Sequence, residues 1–204
     1  MKNYLWDFDG MLFDSYPHIA KAFEMMADEY GIEVDTALAQ SLLEISFATC
    51  YEHYGITPEM GKRHNFHEHN YDLEPVVVPF ENTYETLRIL KERGAKHFLY
   101  THRGRDTSRH YLEKYGMIDF FDGFVDSSMN FPQKPAPDAI NYICENYGLD
   151  KSETIMTGDR EIDVAAGKNA GIYSCLFTKK KNVTTVADFI VDDIIKVTEI
   201  QVIK

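Results

Sequence analysis

A chain of 204 residues has room for one domain with an insertion or for two small domains, and 44% hydrophobic against 26% charged residues is an ordinary globular balance. Lys+Arg 21 against Asp+Glu 33 leaves a net charge of -12, which disfavours sequence-independent binding to nucleic acid backbones. No apolar run reaches the length of a membrane span, and an apolar strand stands where a signal peptide would have to be, so a cytoplasmic protein without nucleic acid or membrane partners is expected. Cys50, Cys144 and Cys175 show no C-x-x-C spacing and read as reduced thiols.

The chain opens on Tyr4-Leu5-Trp6-Asp7-Phe8-Asp9-Gly10, an apolar strand that delivers two carboxylates one residue apart and then turns at a glycine. Alternate side chains of a strand point to opposite faces, so the strand must end or distort near Asp7 if both aspartates serve one site. Two carboxylates there are costly to bury unless something positive neutralises them, and a divalent cation with oxygen ligands, Mg²⁺ above all, is the simplest answer. Helical periodicity follows: Ile19, Phe23, Met26 and Tyr30 predict a helix ending near Gly31, Asp35 to Leu43 a second, Phe47 to Tyr54 a third, and Pro58 to about Tyr71 a fourth. Strand signal returns only at Val76-Val77-Val78, and Pro17 and Pro79 bracket the helical block.

From Pro79 helices alternate with strands. Glu81–Arg93 reads as a helix, Ala95–Tyr100 as a strand and Asp106 or Thr107 to Tyr115 as a helix. Phe124–Asp126 reads as a short strand, Pro137–Tyr147 as a helix, Thr154–Thr157 as a strand and Ile162–Ala170 as a helix. Tyr173–Phe177 and Asp188–Val191 read as the last strands. This alternation predicts an α/β fold with a mostly parallel sheet covered on both faces, whose ligands sit at the carboxyl ends of the strands. Asp7 and Asp9, Thr101, Lys134, and Asp159 with Asp163 all follow predicted strands. Carboxylates, a hydroxyl and an ammonium on one edge suit phosphoryl transfer, which depends on positioning and charge neutralisation.

The pattern Asp7-x-Asp9-Gly10-x-Leu12-x-Asp14-Ser15 resembles the first motif of the haloacid dehalogenase-like hydrolase superfamily. Thr101, Lys134 before Pro135, and Gly158-Asp159-Arg160-Glu161-Ile162-Asp163 match its later motifs in order. The resemblance extends to the branch of phosphoglycolate phosphatases and β-phosphoglucomutases. It implies a Rossmann-like core, residues 1–14 and 79–204, with a small all-helical cap, residues 15–78, inserted after the first strand and closing over the core. It also implies Asp7 as the nucleophile and Asp9 as the general acid/base. Mg²⁺ would be held by Asp7, the backbone carbonyl of Asp9 and Asp159, with Asp163 farther out. Thr101 and Lys134 would bind the phosphoryl group, and His102 and Arg103 stand beside it as further substrate-binding candidates.

Asp9 argues against haloacid dehalogenation and phosphonoacetaldehyde hydrolysis, because those branches lack an aspartate there. The expectation is a phosphatase acting on a small phosphorylated metabolite, as a monomer or weak homodimer. The alternatives are a β-phosphoglucomutase-type mutase, whose second phosphate would need cap cations such as Lys62 or Arg63, and a non-catalytic phosphometabolite-binding protein. His64, His67 and His69 invite a second metal site, but helical spacing puts only His64 and His67 on one face.

Overall fold

The computed structural model describes residues 1–201. The chain divides into two compact units, Met1–Phe13 with Pro79–Lys204, and Asp14–Val78.

The first unit is built on six parallel strands. In chain order they are β1 (Asn3–Trp6), β4 (Lys96–Tyr100), β5 (Gly123–Val125), β6 (Thr154–Gly158), β7 (Tyr173–Phe177) and β8 (Phe189–Val191); two short strands, β2 (Phe13–Asp14) and β3 (Val78–Pro79), mark the passages between units. The spatial order is β5-β4-β1-β6-β7-β8, so the amino-terminal strand lies at the centre, with Leu5 in register with Phe98 on one side and Met156 on the other. Parallel neighbours require crossovers. These contain α5 (Thr83–Glu92), α6 (Arg105–Lys114), α7 (Asp138–Tyr147) and α8 (Glu161–Ala170).

Side-chain alternation splits the core in two. Leu5, Phe98, Tyr100, Val125 and Met156 meet Ala139, Ile140 and Ile143 of α7 and Ala166 and Ala170 of α8 in one buried cluster. Tyr4, Trp6 and His97 stack on one another, with centroids 5.6–5.9 Å apart. Trp6 Nε1–H donates to His97 Nδ1 at 2.9 Å.

The second unit is helical: α1 (Tyr16–Glu29), α2 (Thr36–Ile45), α3 (Phe47–Tyr54) and α4 (Pro58–Glu68). Asp35 caps α2 by accepting from the Ala37 and Leu38 N–H groups, and Ser46 caps α3 by accepting from Thr49. Tyr16, Ile19, Phe23, Met26, Ala39, Leu43 and Cys50 form its core. The fourth helix stops at Glu68, short of Tyr71, and the Val76-Val77-Val78 run yields only the two-residue β3. Short 3₁₀ turns, including Ile118–Phe120 and Ile194–Glu199, were not legible in the apolar periodicity. No helix among the described residues is long and apolar enough to cross a membrane.

The Trp6–His97 contact makes a pH prediction. Burial, with the Lys91 charge second, pushes the His97 imidazole down to about 4. An unfolded histidine titrates near 6.5, so between these values the unfolded chain binds more protons and stability falls as pH falls. The loss should approach about 3 kcal/mol at the acid end of that window. His97→Gln, which keeps an acceptor for Trp6, should flatten the acid side of the stability curve. Urea unfolding between about pH 4 and pH 7 checks this, and an unchanged slope in the variant would count against it.

Candidate active site

The central strand β1 ends at Trp6, but the Asp7 N–H still reaches the Thr157 carbonyl at 2.9 Å, so Asp7 is fixed at the carboxyl edge of the sheet. The chain then turns tightly. Gly10 takes φ 73 and donates to the Phe13 carbonyl, and Phe13 donates to the Phe8 carbonyl. Positive φ is the conformation glycine adopts without penalty. The turn gives Asp9 a setting different from that of Asp7.

Asp7 is 1% exposed. Lys134 Nζ lies 2.9 Å from Asp7 Oδ1 and 2.7 Å from Asp163 Oδ1, and donates to the Tyr100 carbonyl at 2.9 Å. The ammonium thus stands between two carboxylates as an ion pair and hydrogen-bonds one backbone carbonyl. Burial pushes the Asp7 carboxyl up, with Lys134 opposing it; burial also disfavours the Lys134 ammonium, but Asp163 and Asp7 outweigh that and raise it. The loop carrying Lys134 is anchored by His102, whose Nε2 accepts from the Lys134 backbone N–H at 3.0 Å. Burial, then the Lys134 charge, pushes His102 down to about 4, consistent with a neutral acceptor nitrogen.

Asp163 reaches the site because residue 158 is glycine. A Cβ there would lie 2.3 Å from Asp163 Cβ and Cγ, a distance no real side chain tolerates. Asp163 Oδ2 accepts the Arg160 N–H at 3.2 Å at the start of α8. The Arg160 guanidinium lies 3.6 Å from Asp7 Oδ2 and 3.8 Å from Asp159 Oδ1. Arg160 carried no assigned role in the motif pattern, although its place between Asp159 and Asp163 was the available signal.

Thr101 follows β4, beside the central strand, and is 2% exposed. Its Oγ1 accepts the Arg103 N–H at 3.0 Å, which leaves its own O–H available to donate. The Arg103 side chain turns to Asp9: Nη2 donates to Oδ1 at 2.7 Å and Nε approaches both carboxylate oxygens at 3.2 and 3.3 Å. Its guanidinium also lies over the Phe8 ring, 5.2 Å from the centroid. Arg103 thus contacts the expected acid/base, and His102 the lysine loop.

Asp7, Asp159 and Asp163 each offer an oxygen within 4.8 Å of the others. Asp7 Oδ2 is buried and accepts no hydrogen bond. Three hard oxygen donors with one such buried atom fit a small divalent cation such as Mg²⁺. The Asp9 carboxylate is outside this group, and the expected ligand there is its backbone carbonyl.

The histidines of the helical unit are occupied otherwise. His64 Nε2 lies 3.0 Å from the Ile19 carbonyl and Nδ1 2.8 Å from the Tyr51 hydroxyl. His67 Nε2 lies 2.9 Å from Glu29 Oε1, and His69 Nδ1 2.6 Å from the Asn65 carbonyl. These contacts tie helices and turns together, and the three do not converge as a metal cluster among the described residues.

Lys134→Met should leave Asp7 and Asp163 buried without their shared cation and destabilise the metal-free protein by roughly 3–5 kcal/mol. Added Mg²⁺ should recover part of the loss. Urea unfolding with and without Mg²⁺ measures both effects; a variant as stable as the parent would refute the shared-cation account.

Comparisons with known proteins place the chain in a family. The haloacid dehalogenase-like hydrolase family profile matches residues 4–177. Pyrophosphatase PpaX of Halalkalibacterium halodurans is 36% identical over 115 residues, which span 56% of this chain and 52% of that protein, so the match covers about half of that relative's length. Phosphoglycolate phosphatase of Vibrio cholerae is 28% identical over 211 residues, covering 93% of this chain and 92% of the relative. A hydrolase from Streptococcus pneumoniae superimposes with a TM-score of 0.64 at 30% identity, covering 87% of this chain and 94% of the other. With the central-strand aspartate, the buried lysine and the acidic group of β6–α8 in place, the chain belongs to the haloacid dehalogenase-like hydrolase family.

Proposed function

We propose that this chain is a Mg²⁺-dependent phosphatase that hydrolyses a small phosphate monoester through an aspartyl-phosphate on Asp7. The observation that carries the reading is Asp7 itself: one carboxylate oxygen is held by Lys134, and the other is buried without a hydrogen bond beside Asp159. A carboxylate so placed can hold a metal through one oxygen and attack phosphorus through the other. The names of the relatives, a pyrophosphatase and a phosphoglycolate phosphatase, support phosphate chemistry. In this reading the α/β unit is the catalytic core and the helical unit its cap domain.

The Asp7 carboxylate attacks phosphorus as the bond to the leaving oxygen breaks, and Asp9, protonated, gives its proton to that oxygen. Asp9 then takes a proton from water as the water oxygen attacks phosphorus and the Asp7 ester bond breaks, releasing inorganic phosphate. Lys134 holds Asp7 in position through both steps, and the Thr101 O–H donates to a phosphoryl oxygen. Asp7, Asp159 and the Asp9 carbonyl, with Asp163 close by, would hold Mg²⁺, which would supply charge neutralisation when bound.

Phosphate release from phosphoglycolate, sugar phosphates, nucleotides and pyrophosphate, with Mg²⁺ or with EDTA, tests the reading. The expected result is metal-dependent release from at least one compound, lost in Asp7→Asn while that variant stays folded. Release that survives EDTA or the Asp7→Asn change would overturn it.

A further inference from the structure

We propose that Arg103 is a positioning residue that keeps the Asp9 carboxylate out of the metal's coordination set and so preserves it for proton transfer. The inference rests on the Mg²⁺-dependent phosphatase reading above and gives one arginine the task of separating the two aspartates.

Three observations lead to it. First, the contact is made at two points. Arg103 Nη2 donates to Asp9 Oδ1 at 2.7 Å, and Nε lies 3.2 and 3.3 Å from Oδ1 and Oδ2. A guanidinium fork fixes the direction of a carboxylate, which a point charge such as an ammonium does not. Second, the arginine is itself held. Its N–H donates to Thr101 Oγ1 at 3.0 Å, its carbonyl accepts the Ser127 N–H at 3.2 Å, and its guanidinium lies over the Phe8 ring. Its side chain is 4% exposed where that of Asp9 is 20% exposed, so the arginine is the anchor and the aspartate the anchored group. Third, Asp7, Asp159 and Asp163 bring oxygens within 4.8 Å of one another, and the Asp9 carboxylate is not among them.

The chemistry makes that separation necessary. In the phosphatase reading the Asp9 carbonyl is a metal ligand, so the carboxylate of the same residue starts within a side chain's reach of the cation. A small divalent cation favours carboxylate oxygens, and it keeps water at the positions that the protein does not fill. A carboxylate bound to the cation would take such a position and would no longer be available to exchange a proton with the leaving oxygen. Arg103 offers Asp9 a competing positive charge in a fixed place.

The test reads the metal rather than turnover. With Mn²⁺ as the probe, electron paramagnetic resonance in ordinary and oxygen-labelled water gives both the affinity and the number of waters on the bound ion. The proteins are the parent, Arg103→Met, Arg103→Lys, Asp9→Asn and the two double variants. Arg103→Met should bind Mn²⁺ about tenfold tighter or more and with fewer bound waters, and Arg103→Lys should shift the same way by less. In the Asp9→Asn background the same substitutions should displace no water. Their gain in affinity, now only the effect of a lost or moved positive charge, should be about fivefold smaller or less. Equal gains in the two backgrounds, an unchanged water count in Arg103→Met, or weaker Mn²⁺ binding in that variant would overturn the proposal and leave Arg103 a structural counter-ion. If Arg103→Met does not fold, Arg103→Lys in the two backgrounds decides by the same comparison. A parent that binds Mn²⁺ and hydrolyses phosphate esters, with equal gains in both backgrounds, defeats this assignment alone. A parent that does neither defeats the phosphatase reading with it.

Discussion

The ammonium of Lys134, shared by two buried carboxylates and a backbone carbonyl, is the interaction on which the site depends. Asp7 and Asp163 come from segments more than 150 residues apart in sequence, and each is almost fully buried. Two carboxylates brought together out of water repel each other and lose hydration; a single buried cation between them offsets both costs only when all three groups are closely placed. Several otherwise unrelated features serve that placement. Residue 158 lacks a side chain where Asp163 must approach, His102 bonds the backbone of the lysine loop, and β1 occupies the middle of the sheet, where its end cannot shift.

The site separates two aspartates that the sequence sets only one residue apart. Asp7 stays on the sheet edge with a lysine beside it, while the turn through Gly10 gives Asp9 to Arg103. Identical side chains thereby acquire different neighbours. One has an oxygen turned to the acidic group, and the other is held by a two-point guanidinium contact. A division of labour between attacking group and proton carrier needs this kind of difference.

Much of the fold was legible in the sequence because strand and helix periods are strong signals where one face is buried. The predicted Tyr173–Phe177 strand matches the observed one, and the other core elements lie within a few residues of their expected bounds. That Asp7, Asp159 and Asp163 come together was legible because they sit at or just beyond the ends of neighbouring parallel strands, whereas Lys134, well past β5, was legible only through its place in the motif set. What was not legible has one cause: the direction of long side chains across the site. Nothing in Thr101-His102-Arg103 says that the histidine bonds the Lys134 backbone or that the arginine turns to Asp9. Nor does the spacing around Arg160 reveal its approach to Asp7, which depends on the turn into α8. The helical-unit histidines read from their spacing as a poor metal cluster, with His69 off the face of the other two, and in the structure each ring bonds a different neighbour.

The central place of β1 has a consequence for how the protein is made. The strand carrying Asp7 is made before both of its neighbours, Lys96–Tyr100 and Thr154–Gly158. Such non-local pairing carries a large loop-closure cost and forms late. During synthesis the amino-terminal segment therefore waits, apolar and unpaired, while more than 140 further residues are added before β6 can flank it. Until then its aspartates have no assembled site around them. The same wait leaves Tyr4-Leu5-Trp6 as the segment most in need of protection from aggregation before the sheet closes around it.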